Sequence, residues 1–358
     1  MIQEAPFFAK DAAIGTSQVR GHELSSGTEN RPSPEDWEVF GALQKLNERQ
    51  PISQDWALYN TASIRAPELL GTIFVSRAVH TRNVREGEPD RNSIHVCVID
   101  RSGKRQRLKD LELSIDDRIV NWEDARVGPN RTLGFTVVIR EGDKYNPHPA
   151  FVKVEIEDGN LRAVGKPRIF ENITGKNVIP LEGGFIYRPD GVSHQLHYLN
   201  HEGGLLEIID FLNFRDIPWL SKKMGAVARP IELGDGLKLL FIHGVCGNQM
   251  GIDGKAKDDI YALGIAVLDK NWQVKAVDKE PLLKRKDFLG NLQPHEDLNS
   301  KKEVVYLCDF LEEEDDLILP VTVGERITVF THISYSQLIA RAKSLLLGEQ
   351  TAFSPVSS

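Results

Sequence analysis

Residues Trp122-Glu123-Asp124-Ala125-Arg126-Val127 set two adjacent carboxylates and a guanidinium between two apolar runs. Ile119-Val120 precedes them and Leu133–Ile139 follows, and both runs read as β-structure. A carboxyl group at a strand end beside an arginine is a candidate proton donor, because the neighbouring cation can tune its affinity for a proton. The plainer alternative is a solvated turn closed by a local ion pair.

Other chemistry-bearing clusters carry less. The run Glu312-Glu313-Glu314-Asp315-Asp316 lies between the apolar segments 304–311 and 317–323, where a solvated hairpin tip is expected rather than a metal site. His194, His197 and His201 are three and seven residues apart, so in a strand they share no single face. Cys97, Cys246 and Cys308 are widely separated, which makes neither a disulfide framework nor a zinc site and predicts reduced thiols. The glycines of 247–254 lack the strand-to-helix context of a phosphate loop. No metal and no organic cofactor are expected.

A net charge of -8 over 358 residues argues against an extensive nucleic-acid-binding face, although a small basic pocket for phosphate remains compatible with it. The N-terminus shows no basic region leading into an apolar core, and no apolar stretch reaches the ~20 residues that span a bilayer. The sequence therefore predicts a soluble, cytoplasmic protein without nucleic-acid or membrane partners.

The elements that must position these groups are strands. Short apolar runs alternate with turn signals such as Glu157-Asp158-Gly159-Asn160, Arg188-Pro189-Asp190-Gly191 and Leu233-Gly234-Asp235-Gly236. Hairpin after hairpin without long helices between them indicates an all-β fold of antiparallel sheets. The hairpins group into five units, near 56–118, 119–172, 173–222, 223–286 and 300–345, the pattern of a five-bladed β-propeller, with a β-sandwich pair as the competitor. Residues 1–54 form a predicted N-terminal arm and helix, the helix spanning 34–48 with Ser33 as its cap and Trp37, Phe40, Leu43 and Leu46 on one face. Residues 55–347 form the propeller, closed by a short helix over 334–347, and 348–358 form a flexible tail. The arm and helix are candidates for a contact within a homo-oligomer.

Several motifs resemble, in order, those of glycoside hydrolase family 130, the β-mannoside phosphorylases and related mannosidases. Thr72-Ile73-Phe74-Val75-Ser76-Arg77 is similar to the family's first-blade strand closing in Arg. Glu123-Asp124-Ala125-Arg126 resembles its Glu-Asp-Pro-Arg hallmark, with Ala in place of Pro. Lys176–Pro180 and Phe185-Ile186-Tyr187-Arg188-Pro189 resemble its third blade. Met224–Ile231, Leu239–Val245 with its His243-Gly244, and Tyr261–Asp269 resemble its fourth. The chain departs from the pattern in the last blade, where Pro320–Arg326 replaces a Tyr-Tyr-Gly segment and its sugar-contacting Asp, and at Asn60-Thr61, where an Asn-Pro pair is expected.

The resemblance implies a five-bladed propeller and a set of roles. Asp124 is the implied catalytic acid, its proton passing directly or through a substrate hydroxyl. Arg77, Glu123, Arg126 and Glu325 are the implied substrate-binding residues, with Glu325 standing in for the missing Asp and Arg126 organising the acid's surroundings. Lys176, Arg188 and His243 are the implied phosphate-binding residues. Trp122, Tyr187 and Trp219 are aromatic candidates to flank a sugar, or else core. The implied reaction is inverting phosphorolysis of a β-mannoside, with an oligosaccharide and inorganic phosphate as co-substrates and mannose 1-phosphate as product. Hydrolysis on the same scaffold is the alternative; it needs a second carboxylate, for which Glu182, Glu207 and Glu232 are candidates. A catalytically silent propeller that binds sugar or protein is the third reading.

Overall fold

Short apolar runs and tight turns fold the described residues of this chain into twenty-one strands and one α-helix. A computed structural model describes residues 56–80, 92–100, 104–113, 116–247, 259–285, 287–288, 303–313, 315–325 and 327–348. The predicted 34–48 helix, the arm, the tail and most of the Gly-rich 247–254 segment lie outside these residues. Among the described residues the strands form five antiparallel sheets, the blades of a propeller, at the boundaries expected from the hairpins.

Blade 1 comprises β1 (Trp56–Ala66), β2 (Gly71–His80), β3 (Asn92–Asp100) and β4 (Arg105–Arg107). Blade 2 comprises β5 (Ile119–Gly128), β6 (Thr132–Glu141), β7 (Lys144–Glu157) and β8 (Asn160–Ile169). Blade 3 comprises β9 (Gly175–Leu181), β10 (Gly184–Pro189), β11 (Gln195–Leu199) and β12 (Leu205–Asp210). In blade 4 the inner column is broken into β13 (Lys223–Ala226) and β14 (Ile231–Gly234), both paired with β15 (Leu237–Cys246), followed by β16 (Ile260–Leu268) and β17 (Val274–Val277). Blade 5 repeats that break, with β18 (Val305–Leu307) and β19 (Leu311–Glu313) both paired with β20 (Asp316–Val323), which pairs with β21 (Ile327–Ser334). The turns carry the residues their geometry needs. Asp158-Gly159 and Asp235-Gly236 both have positive φ at two successive positions, as a two-residue hairpin requires.

Sheet faces are buried against neighbouring blades. Ala62, Ile73 and Val96 of blade 1 meet Leu133 and Phe135 of blade 2. Phe151 and Phe170 of blade 2 meet Val178 and Phe185 of blade 3. Ile179 and Leu196 of blade 3 meet Met224 and Leu240 of blade 4, and Leu239 and Phe241 of blade 4 meet Leu307 and Leu319 of blade 5. These cores absorb the three aromatic rings considered for sugar stacking. Trp122 belongs to the first interface, Tyr187 to the second and Trp219 to the third, each buried, so none of them is free to flank a sugar.

The seam that closes the ring, between blades 5 and 1, has a smaller apolar cluster of Phe74, Cys97, Ile99, Leu311, Ile318 and Phe330. Hydrogen bonds supplement it. Asn60 N–H donates to Thr322 Oγ1 at 2.7 Å, the Thr61 and Thr328 hydroxyls lie 3.0 Å apart, and Ser63 donates from both N and Oγ to Asp309 Oδ2 at 3.1 Å. The helix α1 (Tyr335–Leu346) follows β21, as the sequence predicts for the C-terminal end. It is fastened to blade 4 by a bidentate pair between Arg341 and Asp278, both distances 2.8 Å and both side chains buried.

The acidic run closes the β19–β20 hairpin as expected. Glu312 and Glu313 pair with Arg229 and Arg65. His194 bonds the Ser193 hydroxyl and the Leu220 carbonyl, whereas His201 reaches the Glu182 carbonyl, so the histidines do not converge. Cys97 and Cys308 are buried and all three cysteines are free thiols.

Asp309 gives the seam a pH dependence. Burial raises its carboxyl to a pKa of about 6, despite the opposing influence of Arg229 and the Ser63 donors. A folded-state value above the unfolded one means the fold takes up a proton, so this group's stabilisation is present below pH 4 and is lost as the pH rises towards 6. The shift corresponds to about 3 kcal/mol. Asp309→Asn is expected to remove that slope, so that its unfolding free energy relative to wild type improves between pH 4 and 7. Parallel stability profiles over that range would contradict the assignment.

Candidate active site

Three successive inner strands carry the same irregularity. β1 is bulged between Tyr59 and Ala62, β5 between Glu123 and Arg126, and β9 opposite Tyr187. At each bulge one residue adopts left-handed φ: Asn60 (53°), Asp124 (56°) and Asn177 (62°). Asn and Asp tolerate that conformation best among residues with a side chain, and a bulge re-aims the side chain it carries. Here the re-aimed groups gather around the propeller axis.

Asp124 Oδ1 accepts from Asn60 Nδ2 at 2.5 Å and lies 3.8 Å from Arg77 Nη1. Glu123 is committed to donors: Arg77 Nη2 at 3.1 Å, Asn121 Nδ2 at 3.0 Å and Lys176 Nζ at 3.4 Å. It therefore orients two cations, a different task from the sugar contact expected of it. Arg126 differs further. It is 1% exposed, and its guanidinium donates to the carbonyls of Val227 and Asp124 at 3.0 Å, to Tyr306 Oη at 2.6 Å and to Asn177 Oδ1 at 3.4 Å. The expected substrate-binding role is corrected to that of a framework group, because protein acceptors take four of its five N–H groups and its side chain is buried away from any ligand.

Lys176 on β9 is the register partner of Arg188 on β10. Arg188 is partly exposed and has no ion-pair partner among the described residues. Lys223, which opens β13, joins the group. Burial lowers its ammonium pKa, and so do the charges of Arg188, Lys222 and Lys176, against an opposing pull from Asp259. His243 lies on β15 opposite Gly225. Burial, then Arg188, Arg126 and Lys223, push its imidazole well below the ordinary histidine range. It is thus a neutral hydrogen-bonding group, not a cation, and its ring lies 6.0 Å from Tyr261 and 4.8 Å from Tyr306. Burial and the charges of Asp259 and Glu325 push the Tyr261 phenol up to about 12. Glu325 sits on the β20–β21 turn, where its charge bears on this same phenol.

Of the predicted residues, the structure brings Arg77, Glu123, Asp124 and Lys176 into contact and sets Arg188 beside Lys176 with its charge acting on His243, while the charge of Glu325 acts on Tyr261. Sequence reading missed Asn60, Asn177, Lys223, Asp259, Tyr261 and Tyr306. A signal was present in Asn60, Asp124 and Asn177, residue types depleted in strands yet set inside strand-like runs of three blades. The three carboxylates considered for water activation lie elsewhere. Glu182 is exposed at the β9–β10 turn, Glu207 is on the outer strand β12, and Glu232 is held by Lys238 at 2.8 Å.

The fold has known counterparts. The chain is similar to the β-1,2-mannobiose phosphorylase of Listeria innocua in its complex with β-1,2-mannobiose, with a TM-score of 0.58 and 14% identity, covering 83% of this chain and 95% of that one. It is also similar to a glycosyl hydrolase from Bacteroides ovatus, with a TM-score of 0.52 and 14% identity, covering 78% and 85%. No family model matches the sequence, and no curated protein matches it. At such identities the likeness is one of fold.

Gly225 is packed directly against the site side chains. A Cβ there would lie 2.2 Å from Asn177 Nδ2 and 2.5 Å from His243 Cε1. Gly225→Ala is therefore expected to displace both side chains and destabilise the protein by about 1–3 kcal/mol. Denaturant unfolding measures this, and an unchanged midpoint would contradict the packing described.

Proposed function

We propose that this protein is a carbohydrate-active enzyme of the glycoside hydrolase family 130 type, which cleaves a β-mannoside by inverting phosphorolysis. The observation that carries the reading is Arg188: a cation unpaired among the described residues, flanked by Lys176 and Lys223, its charge acting with that of Asp124 on the same Tyr261 phenol. Cations set side by side repel one another, and an anion between them relieves that repulsion. Phosphate meets Arg as a planar fork and Lys as a point charge. His243, neutral in this setting, contributes a hydrogen bond instead of charge. The fold likeness to a mannobiose phosphorylase supports the sugar class.

In the proposed reaction a phosphate oxygen attacks the anomeric carbon as the glycosidic C–O bond breaks on the opposite face. The departing oxygen takes a proton from Asp124, directly or through a sugar hydroxyl. Asn60 occupies Oδ1 of Asp124, which leaves Oδ2 as the oxygen that carries the transferable proton. Arg77 holds the carboxylates of Glu123 and Asp124 in place, and Glu325 borders the sugar side. Water-dependent cleavage requires a second carboxylate to activate the water. Glu182, Glu207 and Glu232 are not placed for that task, which leaves Asp259 and Glu325 as the carboxylates near Tyr261, and it is the cation cluster that supports phosphate as the nucleophile.

Incubation with β-manno-oligosaccharides is expected to release mannose 1-phosphate only when phosphate is present. Asp124→Asn should lower that rate by about 10²–10⁴-fold, the usual contribution of a positioned general acid. Free mannose released without phosphate would overturn phosphorolysis in favour of hydrolysis. Failure to turn over any β-mannoside would overturn the enzymatic reading.

A further inference from the structure

Asn177 is positioned at one end of its amide and unpaired at the other. Its Oδ1 accepts from Tyr306 Oη at 2.8 Å and from Arg126 Nη2 at 3.4 Å. Its Nδ2 is buried and has no hydrogen-bond partner among the described residues. The same holds for His243 Nδ1, and both side chains abut Gly225 beside the cation cluster. An unsatisfied buried donor costs stability, so its persistence calls for an occupant.

The polarity of this arrangement is forced. An arginine can only donate, so Tyr306 Oη accepts from Arg126 at 2.6 Å and must spend its own proton on Asn177 Oδ1. Burial holds the Tyr306 phenol well above its ordinary pKa, which keeps that proton in place. With Oδ1 taken twice, the amide cannot turn over without setting its NH₂ against two donors. The direction of Nδ2 is therefore set from blades 2 and 5, although Asn177 itself belongs to blade 3.

We propose that Asn177 Nδ2 is a donor to the anion bound at the Lys176–Arg188–Lys223 cluster, and that Tyr306 is the positioning residue which fixes it there. The inference deepens the functional reading above and rests on its assignment of the anion pocket, but it does not depend on turnover. An anion oxygen would complete the unmet donor of Asn177, and the missing Cβ of Gly225 leaves the room that the Asn177 amide and the His243 ring themselves occupy.

Calorimetric titration of the full-length protein with inorganic phosphate tests this without a sugar substrate. Wild type is expected to bind, and Asn177→Ala and Tyr306→Phe are each expected to weaken binding about tenfold, the scale of one lost hydrogen bond to a charged group. Because Tyr306 acts through Asn177, the double variant should bind no more weakly than Asn177→Ala alone. Losses that multiply, an unaffected Tyr306→Phe, or a wild type that does not bind phosphate would each overturn the inference. Should Tyr306→Phe fail to fold, Asn177→Asp decides: it keeps the shape but replaces the donor with oxygen, so its binding should fall further than that of Asn177→Ala, and retained affinity would overturn the proposal. A protein that binds phosphate with this pattern yet releases mannose without it would keep the inference and remove phosphorolysis.

Discussion

One buried guanidinium ties this propeller together at its axis. Arg126 leaves blade 2 and reaches the Val227 carbonyl of the segment after β13, the Tyr306 hydroxyl of blade 5 and the Asn177 amide of blade 3. A charge withdrawn from water is tolerated only when its donors are matched by acceptors. Here the acceptors come from four sectors of the ring, so satisfying Arg126 fixes the inner strands relative to one another. The apolar interfaces between blades supply the bulk of the cohesion but are non-directional, and they do not by themselves set where inner-strand side chains converge. The hub does, and the candidate site lies immediately around it.

Function and stability pull against each other at the same level of the channel. The cluster of Lys176, Arg188 and Lys223 is mutually repulsive, and Asn177 and His243 retain unmatched polar atoms. Glu123, paired with Arg77 and Lys176, and Asp259, 3.9 Å from Lys223 Nζ, offset part of this. The remainder is strain of the kind that a bound anion would release, consistent with polar groups arranged in advance for charge that arrives with the substrate. Asp309 shows a related tension at the ring-closing seam, where a carboxylate is retained in a place that favours its neutral form.

Much of the architecture was legible in the sequence because it follows from local chemistry. The Asp-Gly turns, the short apolar runs and the spacing of hairpins placed the blades. Asp124, Lys176, Arg188 and His243 were reachable through motif resemblance, since each sits at a strand position that the resemblance aligns. What escaped was long-range. Tyr306 looks like any strand aromatic until blade 5 closes against Arg126, and Lys223 gains its meaning only from Arg188 in the neighbouring blade. Arg126 escapes a local reading for the same reason: beside the carbonyl of Asp124, two residues away, its acceptors on Asn177, Val227 and Tyr306 are 51, 101 and 180 residues away. Trp122, Tyr187 and Trp219 are interface residues because every blade must bury both faces, a constraint that no local window contains.

The central claim is spatial: the Arg126 hub sets Asp124 and the cations Lys176, Arg188 and Lys223 close together around it, where the proposed anion would bind. Diffraction from crystals grown in phosphate tests it most directly. The account predicts one phosphate within hydrogen-bonding distance of Arg188 and Lys223, on the Asp124 side of the channel, with Arg126 beneath it and not in contact. A phosphate bound only elsewhere, or one held by Arg126 itself, would contradict it.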